Sequence, residues 1–210
     1  MSGTFGAYGK IPALGDFFRL DLPGSFTKAW DTWLQETLLQ TRQALADRWD
    51  DTYLTAPIWR FTLAPGLAGP SGMMGVLMAS VDRVGRQFPL TLAAPVEGSV
   101  AALHMANTPL FAHLEDVALS MLDEGASKER LAEALAPLHP LGPAAPPTLP
   151  YHGTAAPEHA FAAVSLSAEA GSAKAIWSSA LADGHRLIAQ GSLPNGALLF
   201  DLSQPEAMPS

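Results

Sequence analysis

Met73–Val96 reads MMGVLMASVDRVGRQFPLTLAAPV, two apolar runs separated by a short charged link. The runs Met73–Val81 and Phe88–Val96 are long enough for strands, and nearly continuous apolarity is typical of a strand that is covered on both faces. The link at 82–87 has a length compatible with a hairpin connection. This stretch therefore predicts a pair of buried strands joined as a hairpin.

Upstream of the hairpin, the sequence alternates between strand and helix patterns. Thr4–Lys10 and Ile58–Leu63 have the composition of strands. Between them, apolar residues recur every three or four positions from Phe26 to Trp49, which predicts one long helix with Ser25 as its N-cap. We expect the three tryptophans on this stripe to pack in the core, because core packing is far commoner than an aromatic ligand site.

Downstream of the hairpin, two further helices are predicted. Thr108 as N-cap and Pro109 at the first helical position open a helix that Gly125 closes, and a shorter helix is expected at Ser127–Ala136. Strands that alternate with helices indicate an α/β layered domain. The hairpin within it predicts a mixed sheet rather than an all-parallel one.

The last third of the sequence is less regular. Residues 137–157 contain seven prolines and predict a loop, strands are expected at Ala160–Ser167 and Lys174–Ala180, and His185–Leu202 is compatible with either a strand or a helix. We divide the chain into an N-terminal α/β region, a proline-rich loop and C-terminal strands that complete the same domain: residues 1–136, 137–157 and 158–210.

Composition argues against several classes of function. Residues 1–90 hold eight basic and eight acidic residues, so the formal net charge of −8 falls on residues 91–210, with four basic and twelve acidic residues. Nucleic-acid binding needs clustered Lys and Arg, and none is seen. The chain has no cysteine, no secretory signal pattern and no apolar run of about 18 residues, so we expect a cytoplasmic protein without a membrane span.

Motifs for catalysis and metal binding fail when tested in turn. Gly9-Lys10 is followed by Ile11 instead of the Ser or Thr of a phosphate-binding loop. Gly-x-Ser-x-Gly is absent, and the six histidines form no His-x-x-x-His pair. We therefore predict no catalytic residue, no metal site and no cofactor.

Two segments combine charges of both signs with apolar residues, glycine and proline: the first signature segment, Gly9–Pro23, and the second signature segment, Ser80–Thr91. Charges that are partly buried there must pair or hydrogen-bond. In one interpretation, Asp16 with Arg19 and Asp82 with Arg86 brace their own loops. In the other, the two loops form a shared recognition surface, and the candidate protein-binding residues are Lys10, Asp16, Arg19, Asp82, Arg83 and Arg86.

These segments and the stretch between them resemble the TagF/ImpM family of type VI secretion-associated proteins. The resemblance is specific, because short motifs recur in order over about eighty residues, and it weakens in the second half of the chain. The resembling motifs are Gly9-Lys10-Ile11-Pro12, Gly15-Asp16-Phe17, Leu22-Pro23, Trp30-Asp31, Trp33-Leu34, Tyr53-Leu54, Pro57, Trp59-Arg60-Phe61, Gly75-Val76-Leu77, Ser80-Val81-Asp82-Arg83-Val84-Gly85-Arg86 and Phe88-Pro89-Leu90.

The resemblance implies a three-layer α/β/α sandwich and a non-catalytic, post-translational repressor of type VI secretion assembly. Such a repressor acts with the forkhead-associated scaffold protein of the system and is linked to a Ser/Thr kinase and phosphatase pair. Two alternatives stay open. One is a small-molecule sensor with a pocket at the carboxyl edge of the sheet, covered by the loop at 65–72. The other is a hydrolase or phosphatase of the same pathway.

Overall fold

Seven strands form one antiparallel sheet in the computed structural model, which describes residues 3–142, 173–181 and 184–200. In chain order the strands are β1 (Gly6–Gly9), β2 (Phe18–Leu20), β3 (Trp59–Leu63), β4 (Gly72–Met78), β5 (Leu90–Val96), β6 (Ala175–Leu181) and β7 (Gly184–Gln190). They lie side by side in the order β2-β1-β5-β4-β3-β6-β7. All neighbouring strands of this sheet are antiparallel, so the predicted mixed sheet was wrong.

The predicted hairpin is confirmed as β4 and β5, which pair from Gly72 opposite Val96 to Met78 opposite Leu90. Every residue of β4 is buried. Because successive side chains of a strand point to opposite faces, alternate β4 residues enter two separate core clusters, one on each face of the sheet. The continuous apolarity of β4 therefore indicated that both of its faces are buried. A strand of an antiparallel sheet can also be buried in this way when side chains pack against both faces of the sheet.

The helices divide between these two clusters. Helices α1, α2 and α6 contribute to a cluster that we call the tryptophan core, and α3, α4 and α5 contribute to the other, the α4 core. Among the helices that the structure describes, none has the length and apolarity needed to cross a membrane. The helices are α1 (Gly24–Leu45), α2 (Trp49–Leu54), α3 (Val100–Ala106), α4 (Thr108–Ser120), α5 (Lys128–Leu135) and α6 (Gly196–Phe200).

The tryptophan core confirms that the aromatic stripe of α1 is structural. Trp30 is fully buried, and its ring stacks on that of Trp177 in β6, with 6.0 Å between ring centroids. The Trp30 indole Nε1–H donates to Thr91 Oγ1 in β5 at 2.9 Å, so its one polar group is paired. This contact fixes α1 across β5.

Helix boundaries follow the sequence signals only in part. Helix α1 begins at Gly24 without a side-chain cap, so Ser25 is not the N-cap. It ends at Leu45, and Ala46 has a φ of +48° and opens a short 3-10 turn before α2, where one continuous helix to Trp49 was predicted. The short helix predicted at Ser127–Ala136 is confirmed as α5, and Ser127 is its N-cap, because its Oγ accepts from Arg130 N at 3.1 Å.

The C-terminal part of the chain contributes the last two strands of the sheet. The strand predicted at 174–180 is confirmed as β6, which pairs with β3 so that Phe61 lies opposite Trp177. The ambiguous segment after residue 184 contains both a strand, β7, and the short helix α6. The strand predicted at 160–167 lies outside the described residues, as does most of the predicted loop at 137–157.

Candidate functional site

Asp82, in the connection between β4 and β5, is the centre of a buried ion cluster. Its Oδ2 accepts from Lys10 Nζ at 3.0 Å and from Arg86 Nε at 2.6 Å. Its Oδ1 accepts from the backbone N–H groups of Val84 at 3.1 Å and Arg86 at 2.9 Å. Lys10 and Asp82 are only 5% and 2% exposed. Four donors thus satisfy one carboxylate that has almost no contact with solvent.

The protein keeps this carboxylate ionised. Burial alone raises the pKa of Asp82, but the hydrogen bond from the Arg86 backbone, together with those from the Lys10 and Arg86 side chains and the Val84 backbone, outweighs it. The pKa of Asp82 is therefore held well below its usual range. Two cations surround one anion, so the cluster formed by Lys10, Asp82 and Arg86 carries a net charge of +1.

The second signature segment folds into a tight turn around Asp82. Asp82 N–H donates to Arg86 O at 3.1 Å, and Gly85 N–H donates to Asp82 O at 2.9 Å. Gly85 has a φ of +81°, a conformation that favours glycine. The start of the turn is held by the buried Tyr53 of α2, whose hydroxyl donates to Ser80 O at 2.8 Å. Backbone and side-chain bonds therefore fix this loop in one shape.

Two arginines of this turn hold the first signature segment. Arg83 Nη2 donates to Ala13 O at 2.7 Å, and Arg83 N–H donates to Leu14 O at 2.8 Å. Arg86 Nη2 donates to Gly15 O at 2.6 Å while its Nε pairs with Asp82. The structure thus brings Lys10, Asp82, Arg83 and Arg86 together and joins the two signature loops into one unit.

The other two candidate residues lie apart from the cluster. Asp16 is exposed, and its Oδ1 accepts from the neighbouring Phe17 N–H at 2.8 Å. Arg19 is exposed on β2 and forms no ion pair with Asp16 among the described residues. The Asp16–Arg19 brace was therefore wrong, whereas the Asp82–Arg86 brace is present. Whether any of the six residues binds a partner stays a prediction.

Exposed apolar side chains accompany the cluster. Val84 at the tip of the turn is 72% exposed, and Phe17 is 43% exposed although its ring contacts Phe88 edge-on, with 4.7 Å between centroids. Lys10 Nζ lies 4.6 Å from the Phe17 ring centroid. We call the exposed face formed by Phe17, Arg83, Val84 and Arg86 the signature surface. It combines apolar and cationic groups on a rigid support.

A groove of about 830 Å³ adjoins this surface. One side is the second signature segment, and the others are α1 and α2. The small-molecule alternative placed its pocket under the loop at 65–72, which does not line this groove. The groove is lined by Leu38, Leu39, Arg42, Trp49, Asp50, Leu54, Val81, Gly85, Arg86 and Gln87.

Sequence reasoning missed the groove-lining residues outside the signature segments. Leu39 and Leu54 are 59% and 62% exposed. Leu39 lies one position off the apolar stripe of α1, and a large apolar residue off the buried face was the signal that could have found it. Gln87 lies within the second signature segment but was not among the candidate residues, because its role depends on contacts between distant elements. Trp49 Nε1–H donates to Gln87 Oε1, and Gln87 Nε2–H donates to Asp50 Oδ1 at 2.9 Å.

A serine–histidine contact lies on the other face of the sheet. His104 of α3 bonds through Nε2 to Ser178 Oγ at 2.8 Å and through Nδ1 to Thr62 Oγ1 at 2.9 Å. Burial, and then the charge of Arg60, lowers the pKa of His104 to about 3. A general base works best with a pKa near the working pH and with a group that stabilises its charged form. The surroundings of His104 instead disfavour its charged form, because it is buried near Arg60. We therefore interpret this network as a group of buried polar side chains that satisfy one another's hydrogen bonds beside the α4 core.

In the parts of the chain that the structure describes, no group of three or more His, Asp or Glu residues is placed to hold a metal ion. On the same face of the sheet as the α4 core, Glu115 is paired with an arginine. Arg60 Nε and Nη2 donate to its two carboxylate oxygens at 2.7 Å each. Such a two-pronged contact is a structural link between β3 and α4.

Comparison with known proteins places the chain beside a protein family and a solved structure. A family model described as the TagF N-terminal domain, type VI secretion system-associated, matches residues 6–138. The crystal structure of PA0076 from Pseudomonas aeruginosa PAO1 is similar to this chain, with a TM-score of 0.76 and 32% sequence identity, and the match covers 99% of this chain and 98% of that one. No curated protein sequence matches the chain.

Proposed function

Because the chain belongs to the TagF family of type VI secretion-associated proteins, we propose that it is a post-translational repressor of type VI secretion assembly. It acts by binding the forkhead-associated scaffold protein of the secretion system and catalyses no reaction. The bound scaffold is withdrawn from assembly by mass action, so repression follows the concentration of the repressor and its affinity for the scaffold.

The joining of the two signature loops is the observation that supports this proposal. Arg83 and Arg86 each use one guanidinium group to hold a backbone carbonyl of the other loop, at 2.7 and 2.6 Å. The buried charges are satisfied, which suits a support rather than a reactive centre. Above that support, Val84 and Phe17 are exposed. A rigid surface that presents apolar groups and arginine loses little entropy on binding and has the composition of a protein interface.

Several further parts of the proposal rest on the family and on the physical arguments above. We place the protein in the cytoplasm, in the pathway of the linked Ser/Thr kinase and phosphatase. We also propose that the fold is a three-layer α/β/α sandwich, which the two separate core clusters support. The hydrolase alternative stays a prediction: turnover of a phosphopeptide that is lost in an Asp82→Ala variant would favour it.

A binding measurement with the purified scaffold tests the proposal. The informative variant is Val84→Asp, because Val84 is 72% exposed and its substitution leaves the Asp82 cluster intact. The matched control is Leu187→Asp on the edge strand β7, where the leucine is 43% exposed. We expect wild type and the control to bind alike and Val84→Asp to bind at least about tenfold more weakly with an unchanged Tm. Absence of wild-type binding would overturn the proposal, and equal binding by Val84→Asp would show that the signature surface is not the contact.

A further inference from the structure

The groove beside the signature surface has apolar rims that no other described element covers. Leu39 of α1 and Leu54 of α2 are 59% and 62% exposed, and both line it. Single exposed leucines are common on protein surfaces, but two of them facing one concave site of about 830 Å³ form an unusual arrangement. The indole of Trp49 contributes to the same lining but is only 3% exposed, so Leu39 and Leu54 supply most of the apolar contact open to a ligand.

The groove is preformed. Gln87 connects its two sides, because its side chain accepts from Trp49 Nε1 and donates to Asp50 Oδ1 at 2.9 Å, both on α2. The backbone of Gln87 also forms a β-bridge with Val81. The loop side is held by the four donors to Asp82. The groove is therefore already ordered before a ligand binds, and little conformational entropy is lost on binding.

The charges at the groove differ in sign from those of the whole chain. Arg42 and Arg86 line it, and within the described residues Arg42 has no ion-pair partner. Among the lining residues, Arg42 and Arg86 give +2 and Asp50 gives −1, so the lining carries a net charge of +1. The chain as a whole is −8. The excess of acidic residues lies beyond position 90, so within the chain an acidic ligand is favoured at this site.

From these observations we infer that the groove is the docking site for an acidic, amphipathic segment of a partner protein, with apolar side chains against Leu39 and Leu54 and carboxylates beside Arg42 and Arg86. This mode is that of an amphipathic helix in a groove. The inference rests on the proposed function, since it names the chemistry of the partner segment that the repressor holds. The groove and the signature surface share Arg86, so one partner can contact both.

Synthetic peptides of stated composition test the docking site without the scaffold. The probe is a fluorescent helical peptide with leucines on one face and glutamates on the other, and its counterpart carries lysines in place of the glutamates. We expect the acidic peptide to bind wild-type full-length protein at least about tenfold more tightly than the basic one. Leu39→Asp should reduce acidic-peptide binding by about tenfold or more. The matched control Leu119→Asp on α4, where the leucine is 49% exposed, should bind as wild type.

Charge reversal distinguishes docking from nonspecific adhesion. Arg42→Glu should weaken binding of the acidic peptide and strengthen binding of the basic one, because Arg42 is exposed and lines the groove. Because Arg42 lies in the last turn of α1, an unchanged Tm is required of this variant. Equal binding of both peptides, or acidic-peptide binding that neither Leu39→Asp nor Arg42→Glu changes, would overturn the inference. So would self-association of the wild type that Leu39→Asp abolishes, which would assign the groove to a second copy.

The scaffold measurement then separates the two proposals. Peptide binding with the expected variant pattern, but no scaffold binding, keeps the docking site and overturns the proposed repressor partner. Scaffold binding that Leu39→Asp does not weaken, with no groove-dependent peptide binding, keeps the repressor partner and overturns the docking site.

Discussion

Lys10 and Asp82 lie 72 residues apart in the chain and form a buried ion pair, with 3.0 Å between Lys10 Nζ and Asp82 Oδ2. The pair joins the end of β1 to the connection between β4 and β5. The ion pair forms only when the chain folds, because no local interaction brings two loops so far apart in sequence together. The stability of the domain and the shape of the signature surface therefore depend on the same contact.

Replacing Asp82 alone should be worse than replacing both partners. Asp82→Asn leaves the buried Lys10 ammonium without its carboxylate, whereas the double variant with Lys10→Met removes both buried charges. We expect Asp82→Asn to lower the midpoint of urea unfolding and the double variant to recover part of the loss. Urea titration followed by tryptophan fluorescence measures both. Losses that simply add would show that the two residues are not coupled.

Stability should fall as the pH decreases from 6.5 to 5, because of His104. The pKa of His104 is about 3 in the folded protein and 6.5 when unperturbed. Below pH 6.5 the imidazole is therefore protonated in the unfolded chain but stays neutral in the folded protein. The stabilisation is complete above pH 6.5, and roughly 2 kcal/mol is lost at pH 5. The lowered pKa of Asp82 acts in a different window, below about pH 4, where the unfolded carboxyl becomes protonated. Urea unfolding at several pH values measures the change.

The control for this pH dependence is His104→Gln, which keeps hydrogen-bonding groups near Thr62 and Ser178 but does not titrate. Its unfolding free energy should vary less between pH 6.5 and 5 than that of wild type. An unchanged slope in this variant would assign the proton uptake to another group.

Gly75 should tolerate no side chain. A Cβ at this position in β4 would lie 1.9 Å from Leu92 O and 2.8 Å from Ala93 Cα, both backbone atoms of β5. Gly75→Ala must therefore push apart the two central strands, at a cost on the order of 3 kcal/mol or more. Gly191→Ala is the control, because a Cβ there meets nothing within 4 Å. Thermal unfolding should separate the two variants, and similar Tm values would contradict the close approach of β4 and β5.

The Trp30–Thr91 hydrogen bond should behave as a buried polar pair. Thr91→Val removes the acceptor and leaves the indole Nε1–H unpaired in the core, which costs about 1–3 kcal/mol. Trp30→Phe removes the donor and also leaves a cavity, so it should cost more. In the double variant the two losses should be less than additive. A double-mutant cycle by urea unfolding gives the coupling, and a coupling of zero would mean that the bond contributes nothing to stability.

The fold was predictable where a local pattern determines it. β4 and β5 could be found because both are apolar and are joined by a short polar link, and α5 could be found because a proline follows the helix predicted at Ser127–Ala136. Strand β2, with three residues, and α3, with seven, are too short to show a period. The break at Ala46 has no glycine or proline to announce it.

Long-range pairing was less predictable. A mixed sheet was expected because strands alternate with helices around one hairpin, but every pair of neighbouring strands in this sheet is antiparallel. For the site, composition identified both signature segments, and only the fold shows that Arg83 and Arg86 of one reach the carbonyl oxygens of the other. The groove depends on contacts between three elements and had no signature in the sequence beyond Leu39.

The pairing of β3 with β6 has a consequence for the order in which the protein is made. Residues 59–63 leave the ribosome more than a hundred residues before their partner at 175–181, so the nascent chain carries an open sheet edge beside Trp59 and Phe61 until those later residues have been made. The family match ends at residue 138, and a fragment cut there would keep that edge permanently. Open edges next to aromatic side chains promote aggregation. Expression of such a fragment should therefore yield inclusion bodies, and adding the C-terminal strands in trans should rescue its solubility.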